Sequence, residues 1–153
     1  MKGEYTVNSV EETWALAKEF AKELTPGTVV CLEGDLGAGK TTFTQGLAAA
    51  LGVSGRVTSP TFCIVQEHRA TAHPSSLVPH ASFLVHMDLY RLHGEDDVIA
   101  IGWEDYLAEG AVLVVEWPER AGTLIPADAR HVVFRHGAQG EESRIIKFCK
   151  ETS

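Results

Sequence analysis

Cysteine is scarce in this chain. Cys31, Cys63 and Cys149 lie far apart, and no C-x-x-C pair occurs. That excludes a disulfide framework and a zinc knuckle. It predicts reduced, mostly buried thiols in a cytoplasmic protein. Basic residues are also few: 13 Lys and Arg stand against 21 Asp and Glu, for a net charge of −8. A bare nucleic-acid binder would show a basic surface, so that class is excluded. Work on RNA through a partner that holds the RNA is not. No apolar run approaches the ~20 residues that span a membrane. The opening "MKGEYTVNSV" lacks the apolar stretch of a signal peptide. There is no internal repeat, low-complexity tract or shift in composition, so residues 1–153 are expected to form one domain.

What is present alternates between helical and strand patterns. "SVEE", Ser9 to Glu12, has the capping-box spacing S-x-x-E. Val10, Trp14, Ala17, Ala21 and Leu24 follow at helical intervals, and "TPG" stops the helix. "TVVCLE", Thr28 to Glu33, reads as a buried strand. "TTFTQGLAAALG" reads as a helix with Phe43, Leu47 and Leu51 on one face. "FCIVQEH" and "SFLVHMDLY" read as strands separated by the loop Arg69 to Ala81. "GEDDVIAIGWEDYLAEG" predicts one or two short helices, and "AVLVVEWPE" a central parallel strand. "HVVFRH" and "SRIIKFCK" pair across "GAQGEE". The fold class is α/β: a three-layer sandwich of the P-loop NTPase type, its sheet mainly parallel with antiparallel hairpin strands.

Between the first strand and its helix stands "EGDLGAGKTTF". Glycine costs chain entropy without adding packing, so three glycines need a purpose. Gly34 to Thr41 fits G-x-x-x-x-G-K-[ST] at every fixed position. A loop that wraps a phosphate must turn its backbone N–H groups inward, and glycine permits the backbone angles and the close approach. The helix opening near Lys40 aims its positive end at the same anion. In such a motif Lys40 reaches the β- and γ-phosphates and the Thr41 hydroxyl ligates Mg²⁺. No N/T-K-x-D guanine-reading signature occurs, so ATP is favoured over GTP.

The magnesium of such a site needs an acid at the end of a buried strand. Glu116 follows "VLVV", and Asp88 follows "FLVHM"; both qualify. "VTSPTF", Val57 to Phe62, offers hydroxyls beside a fixed turn and could sense the γ-phosphate. His86-x-Asp88 places two ligand types on one strand face without a third, so it predicts no metal site of its own. Trp14, Trp103 and Trp117 read as core or interface residues.

"GDLGAGKTTF", "SPTF", "HMDLYRL" and "VEWPER" occur in that order. Together they resemble the bacterial TsaE family (older name YjeE), and the likeness runs from the first helix to the final strand pair. The resemblance implies a weak Mg²⁺-dependent ATPase, cycling between ATP and ADP. Its partners would be TsaD and TsaB, which form N6-threonylcarbamoyladenosine beside the anticodon and hold the tRNA themselves. It implies that Asp35, Leu36, Gly37, Ala38, Gly39, Lys40 and Thr41 hold the phosphates, with Thr42 close behind. Thr41 and Glu116 would ligate Mg²⁺, Asp88 would act in hydrolysis with Lys40 and Thr42, and Trp117 would lie next to the nucleotide. Adenine would sit near Ser9 to Glu11 and Gly140-Glu141. The chain alone would be monomeric or weakly self-associating. Two other readings remain: a small P-loop phosphotransferase acting on a metabolite, and a nucleotide-binding switch without turnover. ATP hydrolysis without an acceptor separates the ATPase from the kinase, and turnover dependent on Asp88 separates it from the switch.

Overall fold

The computed structural model describes residues 1–35, 38–53, 64–69 and 83–149. Seven strands form one sheet in the order β1-β7-β6-β2-β5-β4-β3. In chain order they are β1 (Gly3–Val7), β2 (Val29–Gly34), β3 (Val65–Arg69), β4 (Phe83–Asp88), β5 (Val112–Glu116), β6 (Arg130–His136) and β7 (Arg144–Phe148). Strands β6, β2, β5 and β4 pair in parallel, and the remaining pairings are antiparallel. All of β5 is buried, as a strand covered on both faces must be.

Helices α1 (Val10–Ala21) and α2 (Lys40–Ala50) cover one face. Helices α3 (Glu95–Ala100) and α4 (Trp103–Ala108) and a 3-10 segment, Pro118–Leu124, cover the other. The three-layer α/β architecture agrees with the sequence expectation. On the first face, Phe20, Phe43, Phe134 and Phe148 form a ring cluster, with centroids 5.1 Å apart for Phe20–Phe148 and 5.4 Å for Phe43–Phe134. On the second, fully enclosed Trp103, Met87 and Leu113 fill the space under the short helices.

Helix α1 starts where "SVEE" predicts. The Ser9 hydroxyl accepts from the Glu12 N–H at 3.1 Å. The Glu12 carboxylate returns to the Asn8 N–H, one residue before the position a capping box uses. The buried face of the helix departs from the spacing read above. Ala17, Phe20, Ala21 and Leu24 are inside, whereas Val10 and Trp14 are exposed. The crossing with α2 explains the shift. A Cβ added to Gly46 would fall 2.7 Å from the Ala17 Cβ and 3.2 Å from the Trp14 Cα. Backbones this close leave no room for an indole between them, so Trp14 lies outside and Phe20 takes the core position.

Strand β1 has no counterpart in the sequence reading; it is a mostly exposed edge strand paired with β7. Cys31 is buried, and burial, aided by the charge of Glu33, pushes its thiol up to about 12, so it is unreactive. Cys149 is a half-buried free thiol, and Cys63 lies outside the described residues.

Glu23, just beyond α1, meets the Met1 ammonium at 2.5 Å and Arg130 of β6 at 3.0 Å. Burial raises its pKa, but hydrogen bonds and charge from the Met1 amine and Arg130 outweigh that, and the net shift is downward. The unfolded state then binds more protons than the folded state as pH falls. The stabilisation is present above the ordinary value of 4.5 and is lost as pH falls through the lower folded value. Wild type should therefore melt above Glu23→Gln at pH 7, and the gap should narrow progressively as pH falls below 4.5. A gap that persists or widens in acid would contradict this assignment.

Candidate functional site

Three parallel strands end side by side on one edge of the sheet: β2 at Gly34, β5 at Glu116 and β4 at Asp88. In open α/β sheets, ligands bind beyond the carboxyl ends of the strands, where the chain turns in opposite directions. Here β2 is that strand, flanked by β6 on one side and β5 on the other. A cavity of about 760 Å³ opens at this edge.

The glycine-rich turn forms its floor. Gly39, at φ 104°, caps the N-terminus of α2 in a left-handed conformation that glycine adopts without strain. No side chain caps that end of α2, and its first turn contains no acid, so its positive end is left for an anion. Lys40 donates from Nζ to the Gly34 carbonyl at 2.8 Å, closing the loop on itself. Gly39, Lys40, Thr41 and Thr42 all line the cavity with Gly34 and Asp35. Ala38 is buried beneath, and Leu36 and Gly37 lie outside the described residues.

The acids stand opposite. Glu116 is only 7% exposed, far from the solvated charge a strand end often carries. Its Oε2 lies 2.8 Å from His86 Nε2, and its Oε1 lies 3.4 Å from Lys40 Nζ. Burial disfavours its charge, but the His86 hydrogen bond and charge, with Lys40, reverse that and hold the carboxyl below its usual range. Asp88 pairs in register with Glu116, and its Oδ1 accepts from the Tyr90 N–H at 3.0 Å. The two strand ends are tied by the Leu89 N–H on the Glu116 carbonyl at 3.1 Å.

Trp117 follows Glu116 at φ 58°, ψ 53°, a left-handed conformation. It is unfavourable for a bulky residue, more so before proline. The turn swings the indole to the cavity, where it lies 4.8 Å from the Tyr90 ring. At the far end, α1 contributes Ser9, Val10 and Thr13, and the β6–β7 hairpin contributes Glu142 and Arg144. Of the adenine positions suggested by resemblance, Ser9 and Val10 line the cavity, and Glu11, Gly140 and Glu141 do not. Glu11 projects from the outer face of α1, and the hairpin presents its later residues instead. Val57–Phe62 and residues 70–81 lie outside the described residues.

His86, Tyr90, Thr13 and Arg144 carry no site role in the sequence reading. Tyr90 stands inside "HMDLYRL", but the other three show their place only once strand register and hairpin geometry are known. Among the described residues no cluster of three or more His, Cys, Asp or Glu could hold a metal unaided, and no helix is long and apolar enough to cross a membrane.

A family model described as threonylcarbamoyl adenosine biosynthesis protein TsaE matches residues 7–146. The tRNA threonylcarbamoyladenosine biosynthesis protein TsaE of Bacillus subtilis is 41% identical over 143 residues, 94% of this chain and 82% of that one. The protein of the same description from Streptomyces coelicolor is 47% identical over 104 residues, 68% of this chain and 66% of its own. The crystal structure of YdiB from Bacillus subtilis superposes with a TM-score of 0.75 at 32% identity, covering 99% of this chain and 87% of that one. The match spans both the glycine-rich turn and the strand ends facing it, and on that breadth the chain belongs to the TsaE family of threonylcarbamoyl adenosine biosynthesis proteins.

Proposed function

We infer that the chain hydrolyses ATP with Mg²⁺ and thereby supports a TsaB–TsaD complex in forming N6-threonylcarbamoyladenosine on tRNA. The observation that carries this reading is the facing arrangement of Lys40, at the start of α2, and the carboxylates of Asp88 and Glu116 across one cavity. The backbone of Gly39 to Thr42, with Asp35 beside it, cradles the phosphates, and Lys40 neutralises them. Thr41, Asp88 and Glu116 bring only oxygen donors to the wall, a set that suits a hard divalent cation. Thr41 and Glu116 would hold Mg²⁺, which when bound would supply positive charge to the phosphoryl oxygens. Asp88 orients water for in-line attack on the γ-phosphorus. The bond to the β–γ bridging oxygen breaks, giving ADP, phosphate and a proton. Trp117 flanks the nucleotide, and Ser9 stands at the base end. The net charge of −8 fits a factor that leaves the tRNA to its partners.

The test is ATP hydrolysis by the pure protein, with and without TsaB, TsaD and tRNA. Slow turnover that rises with the partners is expected. Turnover indifferent to them, but stimulated by a small-molecule acceptor, would replace this reading with the phosphotransferase. Asp88→Ala should lower turnover by about 100-fold or more while nucleotide affinity stays within about threefold. Equal loss of both would remove Asp88 from the chemistry.

A further inference from the structure

We propose that His86 is a positioning residue: its Nε2–H holds the Glu116 carboxylate in the orientation that serves the cation of the site. The inference rests on the Mg²⁺-nucleotide reading above and extends it to a residue beyond the cavity wall.

The argument begins with register. His86 pairs with Val114 of β5, two residues before Glu116, so His86 and Glu116 share one face of adjacent parallel strands. His86 is fully enclosed, so its imidazole cannot swing away into solvent. An ionised carboxylate only accepts hydrogen bonds, so Nε2 carries the proton in the 2.8 Å contact with Oε2. The Lys40 contact to Oε1, at 3.4 Å, is looser and depends on a longer side chain. His86 therefore fixes the carboxylate plane. It also occupies Oε2 and leaves Oε1 directed toward Lys40. His86 Nδ1 is buried and has no hydrogen-bond partner among the described residues, so the Glu116 contact alone orients the ring by hydrogen bonding. Partners of this kind behind a metal-binding carboxylate change metal affinity by about 10- to 100-fold when removed.

Two polar substitutions separate this role from simple core packing. In His86→Gln the side-chain amide N–H reaches about as far as Nε2, whereas in His86→Asn it stops short, near the position of Nδ1. Binding of a fluorescent N-methylanthraniloyl ADP is followed while MgCl2 is titrated, with a thermal melt of each variant. We expect His86→Asn to raise the Mg²⁺ concentration at half-effect by about 10-fold or more. His86→Gln should stay within about threefold of wild type, and Mg²⁺-free affinity should be unchanged in both. In a Glu116→Gln background, His86→Asn should have no further effect on the Mg²⁺ response. Equal Mg²⁺ responses of the Asn and Gln variants, or effects that add to Glu116→Gln, would overturn the role of His86. A wild-type protein whose ADP affinity ignores Mg²⁺ would overturn the Mg²⁺-nucleotide reading itself.

Discussion

Lys40→Ala is expected to abolish ATP hydrolysis and weaken ATP binding about 10- to 100-fold. A charge-assisted contact to phosphate contributes about 1.5–3 kcal/mol, and tenfold in affinity is about 1.4 kcal/mol. The same substitution should also lower the melting temperature, because Lys40 has two structural partners. It donates to the Gly34 carbonyl, and its ammonium stands 3.4 Å from the buried Glu116 carboxylate. Removing it leaves that carboxylate short of a counter-charge where only 9% of its side chain meets solvent. Calorimetric titration with ATP and Mg²⁺ measures the first effect, and a thermal melt the second. An alanine variant that melts lower yet binds ATP as wild type would show that Lys40 braces the loop without touching phosphate.

Gly34→Ala is expected to cost about 3 kcal/mol or more, the largest destabilisation among the glycine positions of the site. A Cβ there would lie 2.3 Å from the Phe134 carbonyl oxygen and 3.0 Å from its carbonyl carbon. Both are backbone atoms of the paired strand β6, so the clash cannot be relieved by a rotamer change. Gly34 also adopts φ 144°, which disfavours any side chain. Gly39→Ala provides the comparison. It too has positive φ, but its Cβ would meet only side-chain atoms at ordinary contact distance, the Arg144 Cγ at 3.8 Å and the Phe134 Cδ1 at 3.9 Å. That leaves a backbone strain of about 1–3 kcal/mol without the collision. At about 2–4 °C per kcal/mol for a chain of this size, melting curves can rank the two. Gly39→Ala melting below Gly34→Ala would mean that β2 and β6 separate at this point more easily than their register implies.

Much of the architecture is legible in local pattern. The valine-rich runs Val29–Leu32 and Val112–Val115 announce strands buried on both faces, and they pair as such. The G-x-x-x-x-G-K-[ST] spacing locates the turn from β2 into α2 because each glycine answers a backbone need. What stayed hidden depends on distant parts of the chain. β1 has a polar, exposed sequence, and only its pairing with β7 makes it a strand. The exposure of Trp14 follows from a glycine 32 positions later on another helix. The bond between His86 and Glu116 joins residues 30 apart, and strand spacing alone cannot reveal the register of β4 against β5. The place of Glu116 at the end of a buried strand is legible in "VLVVE", but its enclosure is not, because burial belongs to the neighbours.

The sheet order also bears on how the chain is made. Ribosomes deliver β2 and the glycine-rich turn early, yet neither flanking strand of β2 is its neighbour in sequence. Its partners are Leu113–Glu116 and Arg130–Phe134. Until both have emerged, Val29–Leu32 is an apolar segment with two bare hydrogen-bonding edges, the kind of surface that chaperones shield and aggregates recruit. A hairpin such as β6–β7 closes over a short turn, whereas the edge that carries the cavity must wait for closures spanning 80 to 100 residues, which are entropically slow. A nascent chain arrested before residue 130 would therefore carry the complete phosphate motif in its sequence and no pocket in its structure.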